Sequence, residues 1–307
     1  MNISLSPERY DTVIVGGSNA GLSAALMLGR GRRRVLVCDT GVPTNAPAHE
    51  AHGFFTRDGT PPSELVRIGR EQLRPYDVEL RHVAVTGATS DDAGFVVTLA
   101  DGTTVQTRTV LLATGVAQVF PAIEGIAERW GESVNQCPYC HGWEVRDQPL
   151  AVYATGDHGF QYALMIANWS RDIVALTDGP AAFTDAQWAT LKAREIAVHE
   201  GRIARLEGPG RTLTEIVFAD GSRLPRHALF LAPGKRQHSD LAAQLGCAHT
   251  LDGSVQVNAF GLTSVPGVYA AGDMTHIMIQ SLPVAVAEGA TAGAMLNNTL
   301  IMQGAAH

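Results

Sequence analysis

The pattern of apolar and polar positions near the start of the chain predicts a strand, a turn, a helix and a second strand. Residues 12–15 read as a buried parallel strand, residues 16–21 as a tight turn and residues 22–28 as the opening of a helix. The second strand covers residues 35–38, and Asp39 ends it about 20 residues after the turn begins. This order predicts a βαβ unit whose final carboxylate can accept hydrogen bonds from a ribose diol.

The middle of the chain looks like an imperfect repeat of that unit. The predicted strand, turn, helix, strand and final acidic residue are residues 150–153, 154–159, 160–169, 173–177 and Asp178. Ala154 stands where the first glycine of the turn belongs, and a Cβ there would crowd the turn. The pattern therefore predicts a second nucleotide-type unit with a degraded turn.

Two Asp-Gly steps lie between strand-like runs and predict hairpins. Residues 94–99 are expected to pair with residues 104–107, and residues 215–218 with residues 224–229. Each βαβ-like unit would thus carry one hairpin.

These elements predict an α/β fold with two domains. The first domain would be discontinuous, formed by residues 1–117 and 250–307, and the second domain, residues 118–249, would be inserted into it. The length of 307 residues, with 45% hydrophobic and 17% charged content, is sufficient for two ordinary cores.

The charge balance and the apolar runs narrow the range of partners. A net charge of −7 and a pI near 5.9 argue against a nucleic-acid or anionic-membrane surface, and the short basic run at positions 30 and 32–34 reads as a solvated loop. No apolar stretch approaches the roughly 20 residues needed to span a bilayer, and no targeting leader is visible. We therefore expect a cytoplasmic protein.

The sequence Cys137-Pro138-Tyr139-Cys140-His141 indicates the chemistry. Two thiols separated by two residues can form and break a disulfide, and a titratable imidazole follows at once. The other two of the four cysteines, Cys38 and Cys247, are far apart in the sequence. We interpret Cys38 as a buried strand residue and Cys247 as an incidental loop thiol. In a reducing compartment a close pair is more plausibly catalytic than structural.

Other interpretations of this pair stay open. A structural zinc needs four ligands, and the sequence offers no second pair of cysteines. The same spacing followed by histidine occurs in c-type haem attachment, which goes with export. Cys-Pro-Tyr-Cys is also similar to the glutaredoxin motif, but that motif follows the first strand of a small domain. The fourth alternative is that the two cysteines are simply packed in an apolar core.

Four motifs follow one another along the chain: a glycine turn, an Ala-Thr-Gly strand end at residues 113–115, a central Cys-x-x-Cys and a late Gly-x-x-Ala-Ala-Gly-Asp at residues 267–273. This ordered set resembles that of low-molecular-weight thioredoxin reductases. The resemblance covers nearly the whole chain. It implies two Rossmann-like three-layer nucleotide-binding domains, a homodimer, and FAD in the discontinuous domain. The FAD-binding residues that it implies are Gly16, Ser18, Gly21, Asp39, Thr114, Gly115, Gly272, Asp273, Gln280 and Ser281.

The resemblance also assigns roles to the cysteines, and one departure from it bears on the proton donor. Cys140 would lie against the flavin and Cys137 would exchange with substrate. Thioredoxin reductases carry an Asp after the second cysteine, where this chain has His141. Because an imidazole titrates near neutrality, His141 could remove a proton from a substrate thiol as well as deliver one, or it could simply bind nearby backbone.

A second departure concerns the pyridine nucleotide. NADPH-dependent members carry a His-Arg-Arg run after the second strand of the inserted domain, where this chain has residues 177–180 without positive charge. Asp178 would repel a 2′-phosphate, which argues against NADPH. Asp178 could accept a 2′-hydroxyl and allow NADH, although Ala154 argues against that site, or Asp178 could be only a turn residue.

These departures resemble the dithiol oxidases that close disulfides in gliotoxin-, holomycin- and romidepsin-type natural products. That resemblance implies oxidation of a small-molecule dithiol, with electrons passing through the cysteine pair and FAD to O2. The alternatives are an NAD(P)H-dependent reductase of thioredoxin or a small disulfide, and a flavin-bound redox sensor without turnover. Substrate identity would depend on the surface around Cys137, and residues 275–283 either line that surface or belong to the core.

Overall fold

The computed structural model describes residues 9–153, 155–276 and 280–304. The chain divides into two compact units, the first formed by Met1–Ala46, Pro62–Ala117 and Lys235–His307, and the second by Pro47–Pro61 and Gln118–Gly234. The first unit is therefore discontinuous. Its C-terminal part begins at Lys235, whereas the sequence predicted that it would begin at residue 250. The loop of residues 47–61, which was expected in the first domain, belongs to the second unit.

The first unit is built on a mixed sheet. Numbered in chain order, its strands are β1 (Arg9–Val15), β2 (Val35–Asp39), β3 (Val78–His82), β4 (Val85–Asp91), β5 (Gly94–Leu99), β6 (Thr104–Leu112) and β17 (Val268–Ala270). The strand order is β3-β2-β1-β6-β5-β4, and β17 pairs with β6. Strands β3, β2, β1, β6 and β17 run parallel, while β4 and β5 are antiparallel to their neighbours.

Successive side chains of a strand point to opposite faces of this sheet, and both faces are buried, as expected for parallel strands. The helices of the unit are α1 (Asn19–Arg30), α2 (Pro62–Leu73), α7 (Leu241–Gln244) and α8 (Leu282–Gly304). Ile14 of β1 packs in one cluster with Leu28 of α1 and Leu296 of α8. Val13, the residue before Ile14, lies in the apolar cluster on the opposite face of the sheet, together with Phe95 of β5. Each face therefore has its own apolar cluster.

The second unit contains two sheets and a helical layer. Its parallel sheet has the order β11-β10-β9-β15-β8, and the other sheet has the order β12-β13-β14. The strands are β8 (Val134–Asn135), β9 (Leu150–Tyr153), β10 (Ile173–Leu176), β11 (Ala197–His199), β12 (Ile203–Glu207), β13 (Glu215–Phe218), β14 (Arg223–Pro225) and β15 (Ala228–Phe230). The helices are α3 (Ile126–Arg129), α4 (Pro138–His141), α5 (Gly156–Ile166) and α6 (Asp185–Ala193).

The parallel sheet of the second unit lies between the other two layers. Leu150 and Val152 of β9 pack against Ile166 of α5, whereas Ala151 lies in a cluster with Ile216 of the antiparallel sheet. The predicted three-layer α/β fold class is thus confirmed. The remaining short strands, β7 (Val116–Val119) and β16 (Gly234–Gln237), pair with each other as a two-stranded sheet.

The predicted second hairpin was wrong at its second strand. Residues 224–229 were expected to form one strand, but β14 ends at Pro225 and β15 begins at Ala228 in the other sheet. Proline lacks the N–H that a ladder needs, so the chain leaves the antiparallel sheet there. The first hairpin, between β5 and β6, forms as predicted.

Both predicted turn-to-helix boundaries lie too late in the sequence. Helix α1 begins at Asn19, inside the predicted turn of residues 16–21, and α5 begins at Gly156, inside the predicted turn of residues 154–159. A nucleotide-type turn needs only its first residues, because the following N–H groups belong to the first helical turn. Ala154, on which the degraded-turn prediction rests, lies outside the described residues, as do Met278 and Ile279 of the run at residues 275–283.

Candidate functional site

Cys137 and Cys140 form a disulfide at the start of the short helix α4 in the second unit, with their Cα atoms 5.2 Å apart. Cys137 is the N-cap residue, and its carbonyl oxygen accepts hydrogen bonds from the N–H groups of Cys140, at 3.1 Å, and of His141, at 3.2 Å. Pro138 occupies the first helical turn, where its missing N–H costs nothing. The Cys-Pro sequence therefore forms the tight turn that brings the two sulfur atoms together.

Neighbouring elements hold this turn in place. The Tyr162 hydroxyl of α5 donates a hydrogen bond to the carbonyl oxygen of Gln136, immediately before Cys137. A Cβ built on Gly142 would lie 2.5 Å from the Pro138 carbonyl oxygen and 2.8 Å from the Trp169 ring, so Trp169 packs directly over the end of α4. These contacts restrict the cysteine pair without involving either sulfur atom.

Aromatic side chains next to the disulfide are open to solvent. Tyr139, between the cysteines, is 76% exposed, and Trp143 is 66% exposed. Tyr139 contacts Trp169 edge to face, with ring centroids 5.3 Å apart, and the Arg146 guanidinium lies 3.9 Å from the centre of the Trp143 ring. Exposed rings of this size provide contact area for a partner or a small molecule.

His141 lies beside the disulfide in an environment that keeps its ring neutral. Neither ring nitrogen has a hydrogen-bond partner in the described part of the chain, although both are buried. Burial, with a smaller electrostatic contribution from His52, lowers the pKa of His141 to about 4. The expectation of titration near neutrality therefore changes, because a ring with this pKa is neutral at pH 7, holds no proton to donate and is a weaker base than an ordinary imidazole.

The other cysteines lie apart from this site. Cys38 of β2 and Cys247 are free and buried, and burial raises the pKa of both thiols. Cys247 follows α7 in a loop, as predicted, but it packs in the apolar cluster of the first unit. The residues described here contain no group of three or more His, Cys, Asp or Glu side chains arranged to hold a metal ion. In the same residues, no helix is both long and apolar enough to cross a bilayer.

The glycine turn of the first unit has no room for larger residues. Gly16 has a φ angle of 105°, and a Cβ on it would lie 2.2 Å from the carbonyl oxygen of Ala113. A Cβ on Gly21 would lie 1.8 Å from the carbonyl oxygen of Gly16. Ser18 is the extended N-cap residue of α1, and its side chain makes no capping hydrogen bond to the helix. The first N–H groups of α1 therefore remain for an anion such as a pyrophosphate.

Asp39 ends β2 and lies against this turn. Its Oδ1 accepts a hydrogen bond from the Gly17 N–H at 3.0 Å, and its Oδ2 accepts one from Arg70 of α2 at 2.7 Å. Each carboxylate oxygen can accept a second hydrogen bond, so a ribose diol can still be bound. Arg70 was missed by sequence reasoning because no motif or spacing connects position 70 with the turn.

The late Gly-Asp turn is organised by a glutamate of α8. Glu288 Oε2 accepts a hydrogen bond from the Gly272 N–H at 2.8 Å, and Oε1 lies 2.8 Å from His276 Nε2. Burial raises the pKa of Asp273 to about 6, while Lys235 lowers it and Glu288 adds to the rise. Glu288 lies nearly two turns into the long apolar helix α8, where the sequence gives no sign of this contact.

The remaining predicted cofactor residues lie in the first unit. Thr114 donates a hydrogen bond from Oγ1 to Met274 Sδ at 3.6 Å, and Gly115 has a φ angle of 67°. The carbonyl oxygen of Ser281 accepts the Ala285 N–H at 2.9 Å. The Nε2 atom of Gln280 is buried and has no hydrogen-bond partner among the described residues. This set fits FAD, because it combines a tight glycine turn, free helix N–H groups, a ribose-type carboxylate and an unsatisfied amide donor.

Asp178 of the second unit is engaged by protein groups. Its Oδ1 accepts a hydrogen bond from the Ile203 N–H at 2.6 Å, and its φ angle of 51° lies in the left-handed region. Burial, together with the charge and hydrogen bond of Asp178, raises the pKa of Tyr153. Asp157, in the first turn of α5, accepts a hydrogen bond from Gln187 Nε2 at 2.7 Å. A carboxylate in a first helical turn occupies the position that favours a phosphate.

Comparisons with known proteins agree on one family. The model of the Pyridine nucleotide-disulphide oxidoreductase family matches residues 10–289. Thioredoxin reductase sirT of Leptosphaeria maculans is 32% identical over 309 residues, which cover 95% of this chain and 94% of the relative.

Solved structures give the same picture. The putative thioredoxin reductase TrxB of Bacillus anthracis has a TM-score of 0.91 at 32% identity, covering 96% of this chain and 99% of that one. HlmI has a TM-score of 0.90 at 37% identity, covering 96% and 94%. The predicted resemblance to low-molecular-weight thioredoxin reductases is confirmed. The chain belongs to the pyridine nucleotide-disulphide oxidoreductase family and is an FAD-dependent disulfide oxidoreductase.

Proposed function

We propose that this protein oxidises a small-molecule dithiol to a disulfide through Cys137 and Cys140, with O2 as the final electron acceptor. The observation that carries the proposal is the acidic character of the positions where the second unit would bind a pyridine nucleotide. Asp178 follows β10, where a ribose or a 2′-phosphate would lie, Asp157 occupies the first turn of α5, and residues 177–180 bring no positive charge. A reductase needs a nucleotide to supply electrons, whereas an oxidase takes them from its substrate.

The substrate half of the proposed reaction requires one base and one accessible disulfide. His141 removes the proton of a substrate thiol, and the thiolate attacks the sulfur atom of Cys137. The Cys137–Cys140 bond breaks, Cys140 leaves as a thiolate, and a mixed disulfide forms. The second substrate thiol, once deprotonated, attacks the substrate sulfur of that mixed disulfide, so Cys137 also leaves. The substrate loses two electrons and two protons, and the cysteine pair is reduced.

The neutral state of His141 leaves its ring able to take a proton at pH 7, while the low pKa makes it a weaker base than an ordinary imidazole. A group with a pKa of about 4 is unprotonated at pH 7, so proton removal from the thiol does not first require the loss of a proton from the ring. The exposed Tyr139 and Trp143 rings beside the disulfide are compatible with a small organic substrate.

The cofactor residues proposed from the sequence are the turn, strand-end and helix-start positions of the first unit: Gly16, Ser18, Gly21, Asp39, Thr114, Gly115, Gly272, Asp273, Gln280 and Ser281. FAD, when bound, supplies two-electron chemistry that accepts the electron pair of the reduced cysteines and delivers it to O2, giving peroxide. Here Asp39 would hold the ribose diol and the first N–H groups of α1 the pyrophosphate.

The second candidate is an NAD(P)H-dependent reductase of thioredoxin or of a small disulfide. The name of the matched family and the names of the relatives favour it, since they describe pyridine nucleotide and thioredoxin reductase activities. In this candidate, NADH suits the acidic Asp178 better than NADPH does. A flavin-bound redox sensor without turnover is a third candidate. We also propose a homodimer in the cytoplasm, which size-exclusion chromatography with light scattering and cell fractionation would test.

Aerobic oxidation of dithiothreitol by the FAD-loaded protein tests this proposal. Oxygen uptake and disulfide formation are measured without any nucleotide, and peroxide is measured with and without catalase. We expect equimolar disulfide and peroxide, and no increase in oxygen uptake when NADH or NADPH is added. Two outcomes would contradict the proposal. One is thiol oxidation that depends on neither oxygen nor the cysteine pair, and the other is reduction of a disulfide that requires a nucleotide.

A further inference from the structure

A buried tyrosine is bonded to the backbone immediately before the disulfide. Tyr162 of α5 is 6% exposed and packs in an apolar cluster of the second unit with Leu150 and Ile166. Its hydroxyl donates a hydrogen bond to the carbonyl oxygen of Gln136, the residue before Cys137. Because this cluster encloses the ring, the hydroxyl holds that carbonyl group at a fixed point.

A tryptophan holds the other end of the same turn. Trp169 follows α5, and its ring contacts Tyr139 edge to face, with ring centroids 5.3 Å apart. A Cβ built on Gly142 would lie 2.8 Å from the Trp169 ring, so this ring lies directly against the backbone that follows Cys140. The backbone of Trp169 is itself held, since its carbonyl oxygen accepts a hydrogen bond from the Asp147 N–H at 2.8 Å.

The two anchors act on the distance between the cysteines. The Cα atoms of Cys137 and Cys140 lie 5.2 Å apart, within the range that a disulfide spans. After reduction, an unrestrained turn lets the two thiols separate, whereas a restrained turn keeps each thiol beside its partner. A high effective concentration of one thiol at the other favours the disulfide.

We propose that Tyr162 and Trp169 are positioning residues that shift the thiol–disulfide equilibrium of Cys137 and Cys140 toward the disulfide. In that equilibrium an external dithiol becomes a disulfide, the Cys137–Cys140 bond breaks, and two electrons and two protons pass to the cysteine pair. The inference goes beyond the proposed function and does not depend on it, because electrons pass through the same disulfide in an oxidase and in a reductase.

A purely structural role for the two side chains would have a different signature. Loss of the hydrogen bond or of the ring contact would then lower the free energy of unfolding equally in the oxidised and the reduced protein, and the thiol–disulfide equilibrium would not move. Positioning predicts a larger loss in the oxidised protein. By thermodynamic linkage, that difference appears as a shift of the equilibrium.

The test is the midpoint potential of the cysteine pair in the FAD-loaded protein. Wild type and variants are equilibrated without oxygen at pH 7 in buffers of reduced and oxidised glutathione or dithiothreitol, then quenched with acid and alkylated. Mass spectrometry of the peptide that carries Cys137 and Cys140 gives the reduced fraction, so the free thiols of Cys38 and Cys247 do not contribute. Flavin absorption and thermal unfolding show that each variant is folded and loaded.

The variants remove one anchor at a time. Tyr162→Phe deletes the hydroxyl and keeps the ring, and Trp169→Phe shortens the ring that lies against Gly142. The control is Tyr269→Phe, because Tyr269 is 2% exposed and its hydroxyl is hydrogen-bonded to Thr299 Oγ1 at 2.8 Å. The control thus loses a comparable tyrosine hydrogen bond in the unit that does not carry the cysteine pair.

The net contribution of one hydrogen bond corresponds to about three- to tenfold in an equilibrium constant. We therefore expect Tyr162→Phe to make the cysteine pair about three- to tenfold easier to reduce, a rise of about 15–30 mV in its midpoint potential. Trp169→Phe should shift the potential in the same direction. Tyr269→Phe should lose stability and keep the potential of the wild type.

Three results would overturn the inference. They are an unchanged or more negative potential in Tyr162→Phe, the same result in Trp169→Phe, and an equal rise in the control Tyr269→Phe. If Tyr162→Phe does not fold, Trp169→Phe and the control carry the test. Because the potential is measured without oxygen or a nucleotide, none of these results bears on the proposed function, whose failure would appear as absent oxygen uptake by the wild type.

Discussion

The backbone N–H of Ile203 donates a 2.6 Å hydrogen bond to the carboxylate of Asp178. Asp178 follows β10, at the position where a nucleotide-binding unit presents groups to a ribose, and Ile203 begins β12 of the antiparallel sheet. The carboxylate thus joins two layers of the second unit. A carboxylate at this position repels the phosphate groups of a nucleotide, which supports the proposed electron entry from the substrate.

Replacing Asp178 should weaken the fold and leave chemistry intact. Asp178→Ala leaves the Ile203 N–H without its acceptor and places a less tolerant residue at a φ angle of 51°, so we expect a loss of about 1–3 kcal/mol in the free energy of unfolding. Thermal unfolding measures this loss, with the exposed Asp92→Ala as the control. Loss of dithiol turnover in the folded variant would show that Asp178 belongs to the active site.

Replacing either cysteine of the pair should abolish turnover without loss of the cofactor. Cys137→Ser cannot be attacked to form the mixed disulfide, and Cys140→Ser cannot form the disulfide at all. Both variants should remain yellow, because the residues proposed to hold FAD lie in the first unit. Cys247→Ala, which removes a free cysteine, serves as the control and should retain turnover. Dithiol oxidation by either serine variant would contradict the scheme.

The buried neutral state of His141 should make the protein less stable as the pH falls. Between the ordinary pKa of 6.5 and the native value of about 4, the unfolded chain binds a proton that the native ring does not. Stability should therefore fall across this window, by up to about 3 kcal/mol from this group.

Urea unfolding of the wild type and of His141→Gln, at intervals from pH 7 to pH 4, tests this dependence. The glutamine variant should lose less stability over the window, because its side chain does not titrate. His49→Gln should keep the slope that belongs to His141. Equal slopes in the wild type and His141→Gln would mean that the ring titrates with the same pKa in the native and the unfolded protein.

Replacing Asp39 should weaken FAD binding. Asp39→Ala removes the acceptor of the Gly17 N–H and the proposed partner of the ribose diol, and hydrogen bonds to charged groups contribute about 1.5–3 kcal/mol. We expect the Kd of FAD for the apoprotein to rise about 10- to 100-fold, as followed by the quenching of flavin fluorescence. Asp11→Ala is the control, since Asp11 accepts hydrogen bonds from Arg34 and Arg108 at the other end of β1. An unchanged Kd for Asp39→Ala would remove Asp39 from the cofactor site.

The sequence was informative where backbone geometry allows few residues. Gly16 and Gly21 leave no room for a Cβ, so the glycine turn and the strand before it could be predicted from spacing alone. Cys137 and Cys140 were predictable as a disulfide because two intervening residues suit one helical turn.

Contacts between distant positions could not be predicted in this way. His52 and Glu144 are far apart in the sequence and belong to no motif, yet they lie 3.5 Å apart in the second unit. The division of residues 224–229 between two sheets depends on Pro225 and on pairing with β9, which local pattern does not reveal. The pKa of His141 likewise depends on burial and on His52, which lies far from position 141 in the sequence.

Anaerobic titration of the yellow protein with a dithiol, NADH and NADPH in separate runs tests the direction of electron flow most directly. The visible flavin band reports reduction. The proposed function predicts bleaching by the dithiol and by neither nucleotide, followed by recovery of the band and formation of peroxide when air is admitted. Rapid bleaching by NADH or NADPH, with no bleaching by the dithiol, would contradict it and make this protein a reductase.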